Sequence, residues 1–387
     1  MLLLRNVDTF TPAPAGRLDI LIAGERIVRA EPDLRVPDGF CDVVDASRLA
    51  AVPGFIDAHV HIMGGGGEGG YATRTPELLL SDAIKGGVTT VVGCLGTDGV
   101  TRTGEGLLGK ARGLAEEGLS TFIYTGSYAV PVQAITGSIE RDLLLIDKVI
   151  GVGEVALSDH RSTQPTFDEF VRVAAAARRG GILSGKAGVV NVHMGDGPRG
   201  LSLLRRVIAE TELPVTQFLP THINRNPLLF EEGIAWAKAG GFVDFTTSTV
   251  PAFIADGEVK CSTGLRRMLD AGVDIAQITF TSDGQGSLPD FDAHGKLRGI
   301  GIGRVTSLFA EVRDAVQQDG VPLGTALQVI TSNPARILKL KGKGQIAEGA
   351  DADVVLLDPS TLAITGTIAR GRWLMRDGEF LAKGTFE

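Results

Sequence analysis

His59 and His61 lie two residues apart in the run Val52-Pro53-Gly54-Phe55-Ile56-Asp57-Ala58-His59-Val60-His61. In an extended strand, residues two apart point to the same side, so both imidazoles can face one ion while Val60 packs away. That spacing suits a divalent metal. The pair could also be two half-buried polar side chains, but the chain has only six histidines, and the flexible run Gly64-Gly65-Gly66-Gly67 follows the pair closely. Glu154, His193, His222 and Asp283 fall in, or at the ends of, other short apolar segments. Taken singly, each reads equally well as a satisfied strand-end side chain, and Asp283 before Gly284 as a turn residue. Together the six supply enough nitrogen and oxygen donors for two divalent ions about 3.5 to 4 Å apart. Two ions sharing a water lower its pKa towards about 7 and make a metal-bridging hydroxide available at neutral pH. Asp283, beside that hydroxide, is the expected catalytic acid and base: it takes the proton on attack and passes it to a departing amine.

Such side chains need a frame that brings distant segments together. From residue 52 to about 342, short apolar strands alternate with stretches rich in Ala, Leu, Glu and Arg, the pattern of βα units around a parallel sheet. The strand candidates are Phe55 to His61, Val88 to Cys94, Ser120 to Tyr128, Gly151 to Leu157, Val189 to His193, Pro214 to His222, Phe242 to Thr247 and Ile278 to Asp283. Helix candidates include Thr75 to Gly86, Gly106 to Glu117, Thr166 to Arg179, Arg199 to Glu210, Leu228 to Ala239 and Ser262 to Ala271. The expected fold class is α/β, a (β/α)8 TIM-like barrel with its site at the carboxyl ends of the strands. A doubly wound sheet is the alternative. Residues 1–51 and 343–387 have hairpin-like composition, so the two termini are expected to pair into one small β-sandwich domain.

Thirty-eight basic against 46 acidic residues give a net charge of -8, a poor footprint for nucleic acid or an anionic membrane. No apolar stretch approaches the roughly 18 residues of a membrane span, and the start Met1-Leu2-Leu3-Leu4-Arg5 is unlike a secretory signal. Cys41, Cys94 and Cys261 are odd in number and form no C-x-x-C pair, so neither a disulfide framework nor a thiolate zinc site is indicated. A cytoplasmic protein is the expectation. The Gly64 to Gly70 run lacks the Gly-Lys-Ser/Thr ending of a phosphate loop. Close backbone approach to substrate, or a lid, explains it better.

The constellation resembles the amidohydrolase superfamily, with its H-x-H after the first strand, bridging acid on the fourth, histidines on the fifth and sixth, and Asp on the eighth. Further stretches resemble the isoaspartyl dipeptidase family within it: Gly64-Gly65-Gly66-Gly67-Glu68, Leu95-Gly96-Thr97-Asp98, Ser158-Asp159-His160-Arg161-Ser162, His193-Met194-Gly195-Asp196, Pro220-Thr221-His222-Ile223-Asn224-Arg225-Asn226 and Ser282-Asp283-Gly284-Gln285-Gly286-Ser287. One position departs. Familiar members bridge the metals with a carboxylated lysine four residues before the Ser of the Ser158-Asp159-His160-Arg161 stretch, where this chain has Glu154. A glutamate offers the same charge and two bridging oxygens without carbon dioxide, but it is shorter, so its strand must sit closer to the metals. In the alternative, Glu154 is a buried acid and Lys148 or Lys186 bridges.

The resemblance implies hydrolysis of β-aspartyl (isoaspartyl) dipeptides by a metallo-dipeptidase with two divalent ions, zinc by preference. It implies substrate contacts as well. Glu68 would hold the free α-amino group with Ser287 as a weaker candidate, Gly66 and Thr97 the α-carboxylate, Arg161 and Arg225 the leaving residue's carboxylate, and Tyr128 the oxyanion. Arginine forks suit carboxylates and a phenol can donate to an oxyanion. A homo-oligomer, an octamer in the family, is implied too. The runner-up is a cyclic-amide amidohydrolase of the dihydropyrimidinase or hydantoinase kind, and behind it a non-catalytic binding protein on the same fold.

Overall fold

Alternating apolar residues at both ends of the chain build one sheet. In the computed structural model, which describes residues 1–291 and 297–387, Leu2–Phe10 pairs antiparallel with Pro14–Ala23, with Leu3 opposite Leu21 and Leu4 opposite Ile20. The sheet continues through Ala50–Pro53 to Val354–Leu357, Ile364–Ala369 and Arg372–Arg376, so residues from the two ends of the chain interleave. Its sides meet where Pro53 faces Val354. Leu4, Val7, Ile20, Ile22, Ile27, Val354, Leu356 and Ile368 form a buried cluster on this sheet. Burying each such side chain contributes roughly 1.5–3 kcal/mol.

One residue, Gly54, separates that sheet from the first of eight parallel strands. Its N–H donates to the Asp353 carbonyl at 2.8 Å. A Cβ at this position would lie 2.3 Å from Thr89 Oγ1 and 2.8 Å from Asp353 Cβ, so only glycine fits. The parallel strands are β1 (Phe55–Val60), β2 (Val88–Gly93), β3 (Ser120–Thr125), β4 (Val149–Leu157), β5 (Val189–Met194), β6 (Phe218–Thr221), β7 (Val243–Thr246) and β8 (Ile278–Thr281). β1 to β6 form one curled parallel sheet in sequence order, and β7 pairs with β8. β2, β4 and β5 are Val- and Ile-rich, and β1, β2, β4, β5, β6 and β8 are buried throughout, as expected when both faces of a parallel sheet are covered.

The gaps between the two ladders are bridged by specific bonds. At one, the Ile223 N–H donates to the Asp244 carbonyl at 3.1 Å; at the other, the His61 N–H donates to Gly284 at 2.9 Å. The Asp244 carboxylate on β7 accepts from Thr221 on β6 and from Thr279 and Thr281 on β8, each at 2.6 Å. Burial pushes this carboxyl up to about 6 against the three hydroxyls that favour its ionised form.

The α-helices among the described residues are α1 (Leu80–Lys85), α2 (Gly104–Glu117), α3 (Ile139–Leu145), α4 (Phe167–Ser184), α5 (Ser202–Glu210), α6 (Pro227–Lys238), α7 (Pro251–Ala255), α8 (Cys261–Asp270), α9 (Ser307–Gln317), α10 (Leu323–Ala326) and α11 (Ser332–Ile337). α4 begins with a reciprocal capping box between Thr166 and Glu169 and ends at Gly185 in the left-handed region. Asn226 caps α6, with Pro227 in its first turn. No helix among the described residues is long and apolar enough to cross a membrane.

Several sequence expectations shift. Helix over Thr75 to Gly86 begins only at Leu80, because Thr75 is held by Gly65 and Gln285 through backbone and hydroxyl bonds. Strand over Ser120 to Tyr128 stops at Thr125, where Gly126 adopts a left-handed φ of 98°. The Pro214 to His222 segment opens as a turn of 3-10 helix before β6. The eighth strand ends at Thr281, so Asp283 sits two residues beyond it.

Candidate active site

The six residues expected to ligate metal converge at the carboxyl ends of the parallel strands. Glu154 on β4 is their centre, with its side chain 1% exposed. Oε1 lies 3.3 Å from His61 Nε2, and Oε2 lies 3.3 Å from His59 Nε2, 3.2 Å from His193 Nδ1 and 3.7 Å from His222 Nε2. The carboxylate therefore stands between the β1 histidines and the pair from β5 and β6. Asp283 Oδ1 closes the first side, 3.0 Å from His61 Nε2 and 3.7 Å from His59 Nε2. Lys148 and Lys186 are engaged elsewhere, at Thr121 and at the Ile146 carbonyl.

Neighbouring groups fix three of the four rings. His59 Nδ1 meets Asn191 Oδ1 at 3.1 Å, His222 Nδ1 meets the Thr246 hydroxyl, and His193 Nε2 meets Asp159 Oδ2 at 3.0 Å. Such outer partners set the ring orientation and basicity of a metal-ligating histidine. His222 and Asp283 both hold left-handed backbone, with φ of 63° and 52°, a conformation that costs a non-glycine residue about 1 kcal/mol or more.

The field inside the cluster favours a cation. Burial would raise the Glu154 carboxyl, yet His59 and the hydrogen bonds of His193 and His222 hold it well below the usual carboxylate range. Burial is likewise overcome at Asp283, which His61, His222 and His59 hold at about 2. Burial and the neighbouring His193 push His222 down to about 3, which leaves the neutral ring that binds metals. Burial opposes charge on His59 and His61 too, but Cys94 with Glu154 around the first, and Cys94 with Asp283 around the second, draw both well above the ordinary value. Three buried atoms here, His59 Nε2, Glu154 Oε1 and Asp283 Oδ1, have no hydrogen-bond partner. Orphaned polar atoms of this kind are costly unless something else satisfies them. Two groups of ligand atoms, one from His59, His61, Cys94 and Glu154 and the other from Glu154, His193 and His222, each lie within 4.8 Å of one another. Oxygen and nitrogen donors so placed fit divalent metal.

Above the cluster opens a cavity of about 800 Å³. All the expected substrate residues line it: Gly66, Glu68, Thr97, Tyr128, Arg161, Arg225 and Ser287. Glu68 gathers three of the others. Thr97 donates to its Oε1 at 3.1 Å, Ser287 to its Oε2 at 3.4 Å, and Arg161 Nη1 lies 3.4 Å away. Arg161 is gripped two-pronged by Asp159, at 3.0 Å and 2.7 Å. The Tyr128 hydroxyl is 2.8 Å from His193 Nδ1. Burial and Glu154 push its phenol well above the ordinary value, so it stays a donor. Gly66, at φ 67°, could carry no Cβ, which would meet the Thr73 carbonyl at 2.6 Å. The glycine run is tied down, with the Gly65 N–H shared between Gln285 and Thr75.

Sequence reasoning missed four contributors. Asp159 was visible within its stretch but received no role, although it joins Arg161 to His193. Asn191 on β5 has strand-alternation spacing from His193, a signal that could have placed it on the same face. Thr246 carried no signal. Cysteine spacing gave no indication of a thiolate site, and Cys94 received no role, although its side chain lies beside His59, His61 and Glu154.

The chain belongs to the amidohydrolase family, whose profile matches residues 50–196 and 247–375, and is a hydrolase. More particularly, it is similar to the β-aspartyl dipeptidase of the thermophile Fervidobacterium islandicum AW-1, solved in complex with a β-Asp-Leu dipeptide. The two are 46% identical with a TM-score of 0.90, over 98% of each chain. A dihydroorotase of Leifsonia xyli subsp. xyli is 27% identical over 90% of this chain and 85% of its own length. A D-hydantoinase, 17% identical with a TM-score of 0.69 over 99% of this chain and 97% of its own, shares the fold.

Proposed function

We propose that the protein hydrolyses β-aspartyl dipeptides at a centre of two divalent ions, zinc by preference. One ion would be held by His59, His61 and Asp283, the other by His193 and His222, with Glu154 shared. The observation that carries the substrate reading is the polar wall around Glu68 directly above the ligand cluster. The likeness to a β-aspartyl dipeptidase over nearly the whole chain supports it.

When bound, divalent ions supply an activated water at neutral pH and polarise the scissile carbonyl. The chain does the rest. Glu68 takes the substrate's ammonium, which displaces Arg161 from its 3.4 Å contact and frees its Nη1 for a carboxylate while Asp159 keeps Nε and Nη2. Gly66 and Thr97 meet the α-carboxylate, and Arg225 the carboxylate of the leaving residue. Tyr128 donates its hydroxyl to the oxyanion. Asp283, ionised because it is held at about 2, accepts the proton of the attacking water at its carboxylate and delivers it to the departing nitrogen.

The same reading covers the architecture: β1 to β8 as a (β/α)8 barrel over 52–342, and the terminal sheet as a small β-sandwich domain of 1–51 and 343–387. Three free cysteines fit a reducing cytoplasm. Exposed Leu144 and Leu145 of α3 and Ile182 and Leu183 of α4, two helices that pack together, suit a homo-oligomer.

The zinc-loaded protein is to be assayed on β-Asp-Leu, α-Asp-Leu, dihydropyrimidine and hydantoin. Turnover is expected for the β-linked dipeptide above the others, and Glu68→Gln and Arg225→Ala should each lower kcat/KM by about 10- to 100-fold through a lost charged hydrogen bond. Faster turnover of the cyclic amides would replace this reading. Unchanged kinetics in both variants would refute the pocket.

A further inference from the structure

One wall of the cavity above the ligand cluster takes part in none of the proposed dipeptide contacts. After β7 the chain turns through α7 on its way to α8, and two residues of this stretch, Phe253 and Glu258, line the cavity together with Arg225. Backbone bonds set the placement. The Glu258 N–H donates to the Phe253 carbonyl at 2.9 Å, and the next N–H, of Val259, donates to the Asn224 carbonyl at 2.8 Å. The Asn224 amide in turn donates to the Val259 carbonyl at 3.2 Å and to the Thr246 carbonyl at 3.1 Å. Glu258 is thereby held alongside Arg225, the residue assigned to the carboxylate of the leaving amino acid.

The Glu258 carboxyl is unsatisfied where it stands. Its Oε1 is buried and has no hydrogen-bond partner, which is costly unless something else meets the atom. Burial pushes the carboxyl up to about 7 against Thr249 and the Arg225 charge, and Glu311 and Asp196 push it the same way as burial. The Arg225 charge is shared: its Nη1 lies 3.7 Å from Asp196 Oδ2, and a substrate carboxylate draws on the same guanidinium. A dipeptide held by Arg225 therefore leaves Glu258 short of positive charge. Asp256 lines the same wall but is exposed, so solvent and salt screen it.

We infer that Glu258 is a specificity-determining residue, which receives the cationic end of a lysine or arginine side chain on the leaving amino acid. This rests on the reading of the protein as a β-aspartyl dipeptidase and adds a subsite for the leaving side chain. The stem of such a side chain is apolar and its head is charged. Phe253, half-buried in the same wall, suits the stem, and Glu258 suits the head. An acidic leaving residue is disfavoured there, because its second carboxylate would face the Glu258 carboxylate.

The test compares β-Asp-Lys with β-Asp-norleucine, which has the same carbon stem and no charge, and with β-Asp-Glu. kcat/KM is measured on the metal-loaded full-length protein at about pH 8.5, where Glu258 is ionised. Wild type should favour lysine over norleucine by about tenfold or more, the worth of a charged hydrogen bond. Glu258→Gln should bring that ratio to within a factor of about three of unity. Glu258→Lys should reverse the order, with β-Asp-Glu preferred over β-Asp-Lys; if that variant fails to fold, the Glu258→Gln ratio decides alone. A lysine-to-norleucine ratio near unity in wild type, or a ratio that Glu258→Gln leaves intact, would overturn the subsite while the dipeptidase reading stands. Failure of wild type to cleave any of the three β-linked dipeptides would overturn that reading and the subsite with it.

Discussion

Asp244 concentrates an unusual load at the junction between β6 and β7. It is fully buried, and it accepts three threonine hydroxyls that reach it from both neighbouring strands. Its folded carboxyl lies at about 6, raised from 3.8 mainly by burial. A carboxyl raised on folding binds more protons in the native state than in the unfolded one, so its contribution is complete below 3.8 and is lost as pH rises through about 6. That loss totals about 3 kcal/mol, of which about 2 kcal/mol falls between about pH 4.5 and about pH 7.5. Asp244→Asn cannot titrate. Urea unfolding of the wild type and the variant at those two pH values, in the same metal-loaded state, should show their stability difference shifting by about 2 kcal/mol, with wild type losing ground as pH rises. Other carboxyls and the metal centre cancel in the double difference. Parallel pH dependences would refute the assignment of this group as the titrating one. Asp244→Ala strands three buried hydroxyls and should cost about 3–5 kcal/mol, with the cost about 2 kcal/mol smaller at about pH 7.5 than at about pH 4.5.

Two further outcomes follow from the site. Asp159→Asn weakens the group that links Arg161 and His193, so metal affinity read by chelator competition and kcat/KM should both fall by about 10- to 100-fold, as such losses do; values within a factor of about three of wild type would remove Asp159 from the site. Because Glu154 is a carboxylate by birth, reconstitution with metal in bicarbonate-free buffer should restore full activity. A clear bicarbonate requirement would instead demand a modified lysine, against the placement of Lys148 and Lys186 away from the cluster.

Much of the site was legible because parallel strands deliver their terminal side chains to one end. His59, His61, His193 and His222 stand at strand ends flanked by apolar runs, a pattern that short-range periodicity registers. Glu154 was found by counting back from Ser158. Cys94, Thr246 and Asp244 were not legible, for a common reason: each owes its role to a neighbour on another strand. Cys94 looks like any apolar strand residue until His61 is beside it. Asp244 lies in the middle of an apolar segment, where an acid reads as an interruption. The late start of α1 has the same origin, since Thr75 is captured by Gly65 and Gln285 and not by its own sequence neighbours.

The single glycine between the terminal sheet and β1 makes two cores mechanically one. Ala50–Pro53 is an internal strand of a sheet built from both ends of the chain, and two residues after its last member the strand carrying His59 and His61 begins. The link has no slack: Gly54 is bonded to Asp353 and closed in by Thr89. Force or thermal fraying that peels Val354–Leu357 from Ala50–Pro53 pulls directly on the histidine strand. The terminal sheet therefore behaves as a tensioner for the metal clamp, and loss of metal and loss of that sheet should occur as one event.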